Sequence, residues 1–157
     1  HVIVCGFGEF GSSVGALLNA YAIPFIAIET NPQLYEKHKE RNRVILGDAT
    51  NREILKKAQI QRAIAVIVVV DDPKLGRKIA RTVRELSRHV NLIVKIAHPD
   101  DEPHYKGEQL TEMVNGPHMV AEHLVSKAMR SYSYRNSQTI LYGESCDLLD
   151  REIEEMR

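Results

Sequence analysis

The first twenty residues hold the feature that most narrows what this chain can fold into. A short apolar run, Val2-Ile3-Val4-Cys5, breaks into Gly6-Phe7-Gly8-Glu9-Phe10-Gly11, and Phe10, Val14, Leu17 and Leu18 then recur at helical spacing. A buried strand that ends in G-x-G-x-x-G and opens a helix is a strand–turn–helix unit in which each glycine has its own task. Gly6 permits the tight turn, Gly8 lets the backbone approach a phosphate, and Gly11 lets the helix pack on the strand. Amides at the helix start, reinforced by the helix dipole, favour an anion there. A tight strand–helix turn without a ligand is the competing reading of the same residues.

The rest of the chain repeats that alternation. Pro24 to Ile28 forms a second strand ended by Glu29, and Asn31-Pro32 supplies an N-cap with proline at the first helical position. That helix is expected to run to about Arg41. Arg43 to Leu46 is a third strand, and Thr50-Asn51-Arg52-Glu53 is a capping box with Thr50 as the cap. Ala63 to Val70 is the most central strand, Asp72-Pro73 repeats the cap-then-proline signal, and Asn91 to Ile96 is a fifth strand. His98 to His104 is a loop, Met113-Val114 a short edge strand, and Gly116-Pro117 opens a last helix. Alternating buried strands and helices predict an α/β fold, a doubly wound parallel sheet of Rossmann type, as a single domain with a C-terminal helical extension. The expected boundaries are 1–130 for that domain and 131–157 for a polar, acidic extension, in which Leu149, Ile153 and Met156 could form one apolar stripe.

Composition excludes several other classes. Lys and Arg total 21, as do Asp and Glu, so the net charge is zero and gives no case for nucleic acid. Cys5 and Cys146 make no disulfide framework, and a buried Cys5 thiol fits a reducing compartment. No run nears the ~20 apolar residues of a membrane helix. His98, His104, His118 and His123 lack metal-ligand spacing. Because His1 already stands inside a strand pattern, a segment cut from a longer chain is expected.

Ligands of doubly wound sheets sit beyond the carboxyl ends of the strands, and the remaining candidates lie there. Glu29 follows Gly11 by 18 residues, where a carboxylate can accept both hydroxyls of an adenosine ribose and would repel a 2′-phosphate. That favours AMP or NAD(H) over NADP(H); a solvated strand-end acid is the alternative. Asp48, in Gly47-Asp48-Ala49-Thr50, can receive an adenine amino group or serve as a plain turn residue. Asp71 faces the crevice mouth after the fourth strand, with Asp72 as a helix cap. Arg77, Arg81, Arg84 and Arg88 form a basic stripe, either a solvated face or a partner for the acidic Glu152, Glu154 and Glu155.

The glycine loop, Glu29, Gly47-Asp48-Ala49-Thr50 and Val70-Asp71-Asp72-Pro73, taken in order, resemble the RCK or KTN (TrkA-N) domain over about residues 1 to 130. Within that group the chain is most similar to the C-terminal domain of Kef-type, glutathione-gated potassium efflux systems. The resemblance implies a cytoplasmic regulatory domain at the bacterial inner membrane that senses AMP or NAD(H) and gates a potassium (cation/proton) efflux transporter of the same polypeptide. It implies a nucleotide site at Gly6, Phe7, Gly8, Glu9, Phe10, Gly11, Glu29, Thr30, Asp48, Ala49, Thr50 and Asp71, no catalytic residues and no metal. It also implies a homodimer to which the helix from Pro117 contributes, and a glutathione site near that interface. The chain departs from the Kef pattern at Glu9, where arginine is usual, and after the fifth strand, where Lys95 and His98 stand. A fragment of an NAD-dependent oxidoreductase or epimerase, without its substrate domain, is the alternative function.

Overall fold

The computed structural model describes residues 1–141, with side chains through residue 129. The expected apolar stripe Leu149-Ile153-Met156, Cys146 and the acidic residues Glu152, Glu154 and Glu155 lie outside the described residues. Contacts divide the chain into two compact units, His1–Pro117 and His118–Arg157.

In the first unit, β1 (Val2–Cys5), β2 (Phe25–Glu29), β3 (Val44–Leu46), β4 (Ala65–Val68), β5 (Asn91–Ile96) and β6 (Glu112–Asn115) form one sheet. The strand order is β3-β2-β1-β4-β5-β6, and every pairing is parallel. The helices α1 (Glu9–Ala20), α2 (Pro32–His38), α3 (Arg52–Lys57) and α4 (Pro73–Leu86) are the crossovers. Alternation along the buried strands divides the core. Val2, Val4, Phe25 and Ala27 join Phe7 and partly buried Val14 and Leu18 of α1 on one face. Ile3, Cys5, Ile26 and Ile28 pack on the other with Leu55 of α3 and Ile79, Ala80 and Val83 of α4. Sheets buried on both faces need such strands. The chain reverses direction across the sheet between β1 and β4, which opens the crevice expected of this topology.

Local chemistry adjusts several expected boundaries. Asn31 and Asp72 cap α2 and α4 through their side-chain oxygens. The cap of α3 is Asn51, which accepts from the Glu53 amide at 2.9 Å, so Thr50 is not the cap. Thr50 is instead held in an Asx turn, its amide donating to Asp48 Oδ1 at 2.8 Å. Helix α2 stops at His38, short of Arg41, where the Arg41 and Asn42 amides both turn back to the His38 carbonyl. The stretch expected as a loop after β5 is a 3-10 turn, Pro99–Tyr105, begun when the His98 amide donates to Asp101 Oδ2. Tyr105 is thereby buried against α4.

The basic stripe of α4 grips the segment that follows this turn. Arg77 and Arg81 both donate to Glu108 Oε1 at 2.9 Å. Arg84 donates to the carbonyls of Val90 and Gln109, and partial burial lowers its pKa.

In the second unit, the described part continues the helix α5 (Gly116–Leu141), through the stretch where a polar extension was expected to begin. Its side chains Met119, Val120, Leu124, Val125 and Met129 are exposed. Among the described residues no helix is long and apolar enough to cross a membrane.

Candidate functional site

A crevice of about 590 Å³ lies at the carboxyl ends of the strands, between the loops after β1, β2, β3 and β4. Its size is that of a small-molecule site. Ten of the twelve predicted residues line it: Gly6, Gly8, Glu9, Phe10, Gly11, Glu29, Thr30, Asp48, Ala49 and Asp71. Phe7 and Thr50 do not. The Phe7 ring is buried, at 5.8 Å from the Phe25 ring and 5.1 Å from that of His38. Its amide donates to the carboxylate of Glu29, which does line the site.

The three loop glycines separate cleanly by what requires them. Gly6 has φ +95°, which an L side chain rarely adopts. A Cβ on Gly11 would collide with the Gly6 carbonyl, so the close approach of α1 to β1 demands glycine there. Gly8 is different: its φ is −69° and a Cβ on it would meet nothing within 4 Å. No neighbouring atom calls for glycine at that position, and Gly8 is one of the residues that line the crevice. Helix α1 begins directly after it and has no side-chain cap, which leaves its first amides available to an acceptor.

Glu29 is buried and bound, not solvated. Its Oε2 accepts from the Phe7 amide at 2.7 Å and its Oε1 from the Asn31 amide at 2.8 Å. The Thr30 hydroxyl also donates to Oε1, at 3.5 Å. Of the about four acceptor positions of a carboxylate, one is left open for a ligand, and the long Thr30 contact holds the next. Asp48 is both the turn residue and a crevice residue, since one oxygen caps Thr50 while the side chain lines the site.

Several lining residues were not anticipated: Ser13, Ile28, Gly47, Val69, Val70, Leu75, Ile79 and Lys95. The apolar ones form the floor and carry no signal apart from core residues. Lys95 did carry one, as a cation in the otherwise apolar end of β5. Its Nζ lies 2.7 Å from Asp71 Oδ1 and 4.9 Å from the centre of the Phe10 ring.

A six-stranded sheet in this order, with a glycine loop at its switch point and an acid at the end of β2, defines a Rossmann-type domain. More narrowly, residues 2–116 match the TrkA-N domain family, and the chain belongs to that family. It is 35% identical over 99 residues to the probable potassium channel protein 2 of Methanocaldococcus jannaschii, covering 60% of this chain and 29% of that protein. It is 31% identical over 123 residues to the putative cation/proton antiporter YbaL of Escherichia coli, covering 77% of this chain and 22% of that protein. The chain thus spans less than a third of either relative. The crystal structure of the TrkA-N domain of YbaL superposes with a TM-score of 0.74 at 25% identity, over 80% of this chain and 94% of that one. The Kef C-terminal domain of Shewanella denitrificans, in its AMP-bound form, gives 0.71 at 20% identity, over 99% and 93%.

Proposed function

We propose that the crevice binds an adenine nucleotide, AMP or NAD(H), and that the domain is the cytoplasmic regulatory part of a potassium (cation/proton) efflux protein. The observation that carries the binding half is Gly8, a glycine that the fold does not need, set where its missing side chain leaves room above the start of α1. A phosphate in that room would be held by uncapped amides and the helix dipole. The open acceptor position of Glu29, with the one that the long Thr30 contact would yield, suits ribose hydroxyls, and the carboxylate's charge opposes a 2′-phosphate. Gly6, Gly8, Glu9, Phe10, Gly11, Glu29, Thr30, Asp48 and Ala49 are the proposed contacts, with Phe7 acting through Glu29 and Thr50 through Asp48; Asp71 lines the crevice as the ion-pair partner of Lys95. Glutathione is not part of the proposal, because its two carboxylates would find one cation, Lys95, among the lining residues.

The regulatory half is supported by membership of the TrkA-N family and by relatives named as a potassium channel and a cation/proton antiporter. A transport domain at the bacterial inner membrane would belong to the remainder of such a polypeptide. The exposed apolar side chains of α5 support a homodimer. A nucleotide that stabilises one dimer geometry would bias the transporter through linkage.

Calorimetry with AMP, NADH and NADPH tests the binding half: AMP and NADH are expected to bind, with NADPH about tenfold weaker or more. Absence of binding by all three overturns it. Sedimentation with and without AMP tests the coupling, which fails if the association constant does not move.

A further inference from the structure

Among the described residues, five charged side chains line the crevice, the acids Glu9, Glu29, Asp48 and Asp71 and a single cation, Lys95. From their arrangement we propose that Lys95 reads what a bound nucleotide carries beyond its first phosphate, and that Asp71 is its competitor rather than a ligand contact. This rests on the nucleotide reading of the same crevice.

The strand order separates the two halves of the site. Glu29 and the Asp48 turn follow β2 and β3, on one side of β1, whereas Asp71 and Lys95 belong to the ends of β4 and β5, on the other. An adenosine bound over β2 and β3 directs its phosphate to α1 and any further group toward β4 and β5. Lys95 stands at that side. Its ammonium faces the Phe10 ring on the first turn of α1, so the cation and the uncapped helix amides converge on one space.

The Lys95–Asp71 pair is unequal. The lysine side chain is 13% exposed and held at the wall, whereas the aspartate is 84% exposed. Ion pairs with so solvated a partner are weak. A phosphate brings more charge and several acceptor oxygens to an ammonium that has three donors, so it displaces Asp71. A monophosphate is satisfied by the glycine-loop amides and leaves the pair intact; a diphosphate takes Lys95 from Asp71. The exchange moves an exposed carboxylate only when the longer ligand is present, which gives the domain a means of telling AMP from ADP.

Calorimetry of the full chain with AMP and ADP, at one fixed ionic strength, tests this with two variants. Lys95→Met is expected to weaken ADP about tenfold and AMP by less than about twofold. Asp71→Asn is expected to tighten ADP about threefold and leave AMP unchanged. An equal change for both nucleotides in Lys95→Met, or no change for either, overturns the proposal, as does weaker ADP binding by Asp71→Asn. Should Lys95→Met not fold, as judged by its melting curve, Lys95→Gln keeps a polar group at the half-buried position and is read by the same AMP-to-ADP ratio. If the unaltered chain binds neither nucleotide, the reading of the crevice falls first and this inference with it. If it binds AMP and the ratio stays fixed, this inference alone falls.

Discussion

Glu29 and Phe7 stand 22 residues apart in sequence, yet the Glu29 carboxylate accepts the Phe7 amide at 2.7 Å inside the core. The acid at the end of β2 thus fastens the second residue of the glycine loop, and its other oxygen fastens the start of α2 through the Asn31 amide. The residue that would recognise a ribose also holds the two loops that surround it. Glu29→Ala is therefore expected to cost about 1–3 kcal/mol for the buried Phe7 amide alone, measured by urea denaturation without ligand. The rise in melting temperature that AMP gives the unaltered chain is expected to vanish in the variant. A variant as stable as the parent would show that the hydrogen bond contributes nothing.

The loop glycines are expected to divide in the same way under substitution. Gly8→Ala introduces a methyl into open space at a φ that alanine tolerates, so stability should stay within about 0.5 kcal/mol. Nucleotide affinity should fall about tenfold or more, since the methyl occupies the proposed phosphate approach. Gly11→Ala meets the Gly6 carbonyl and is expected to lower stability by about 1–3 kcal/mol, like other overpacked positions. Melting curves and calorimetry on both variants decide this. Equal losses of stability would end the distinction.

Gly76 lies inside α4, and a Cβ there would collide with the Tyr105 hydroxyl. Gly76→Ala is expected to destabilise the chain by about 1–3 kcal/mol despite alanine's better helix propensity. Tyr105→Phe removes the oxygen in the way, so the double variant should recover part of that loss. A double-mutant cycle in urea measures the coupling, and strict additivity would show that the two do not meet.

Burial pushes the Cys5 thiol from 9.0 to about 12, and burial followed by the charges of Asp101 and Asp72 raises the Tyr105 phenol from 10.0 to about 12. The folded chain keeps both protons where the unfolded chain has released them. Stability from this source is full below about pH 9 and falls from there to about pH 12, as the unfolded state gains by ionising. Urea midpoints should decline across that window, and Cys5→Ala should flatten the lower part of the slope. In a Cys146→Ser chain, a thiol reagent at about pH 8 should label nothing until the protein is unfolded. Prompt labelling of native Cys5 would contradict its burial.

How much of this could be read beforehand depended on whether a residue's role was local. Buried parallel strands announce themselves as apolar runs, and Asn31-Pro32 and Asp72-Pro73 mark helix starts with side chains that act two residues away. The glycine loop was legible for the same reason. Thr50 was misplaced as a cap because Asn51 offers equivalent chemistry one residue later, and only the backbone path chooses between them. The partners of Arg77, Arg81 and Arg84 could not be foreseen, since Glu108 and Gln109 reach them from beyond β5. A helical stripe says which residues share a face and nothing of what crosses it. Lys95 was similarly ambiguous: a lysine at a strand end points to solvent or to a crevice according to register, and register is not written in spacing.

The excess of acid over base around the crevice has one more consequence, for the medium in which the domain works. Recognition that depends on opposite net charge weakens as salt rises, because the Debye length shortens to about 8 Å at physiological ionic strength. Here, among the described residues, four acids face one lysine, so what dissolved ions mostly screen is repulsion, while hydrogen bonds from short-range amides persist. An anion held in this way is expected to lose less affinity in concentrated monovalent salt than one held by a basic pocket, although the helix-dipole and Lys95 attractions are themselves screened. For a domain with the proposed role, that would be insulation: nucleotide binding would not drift with the concentration of the transported cation.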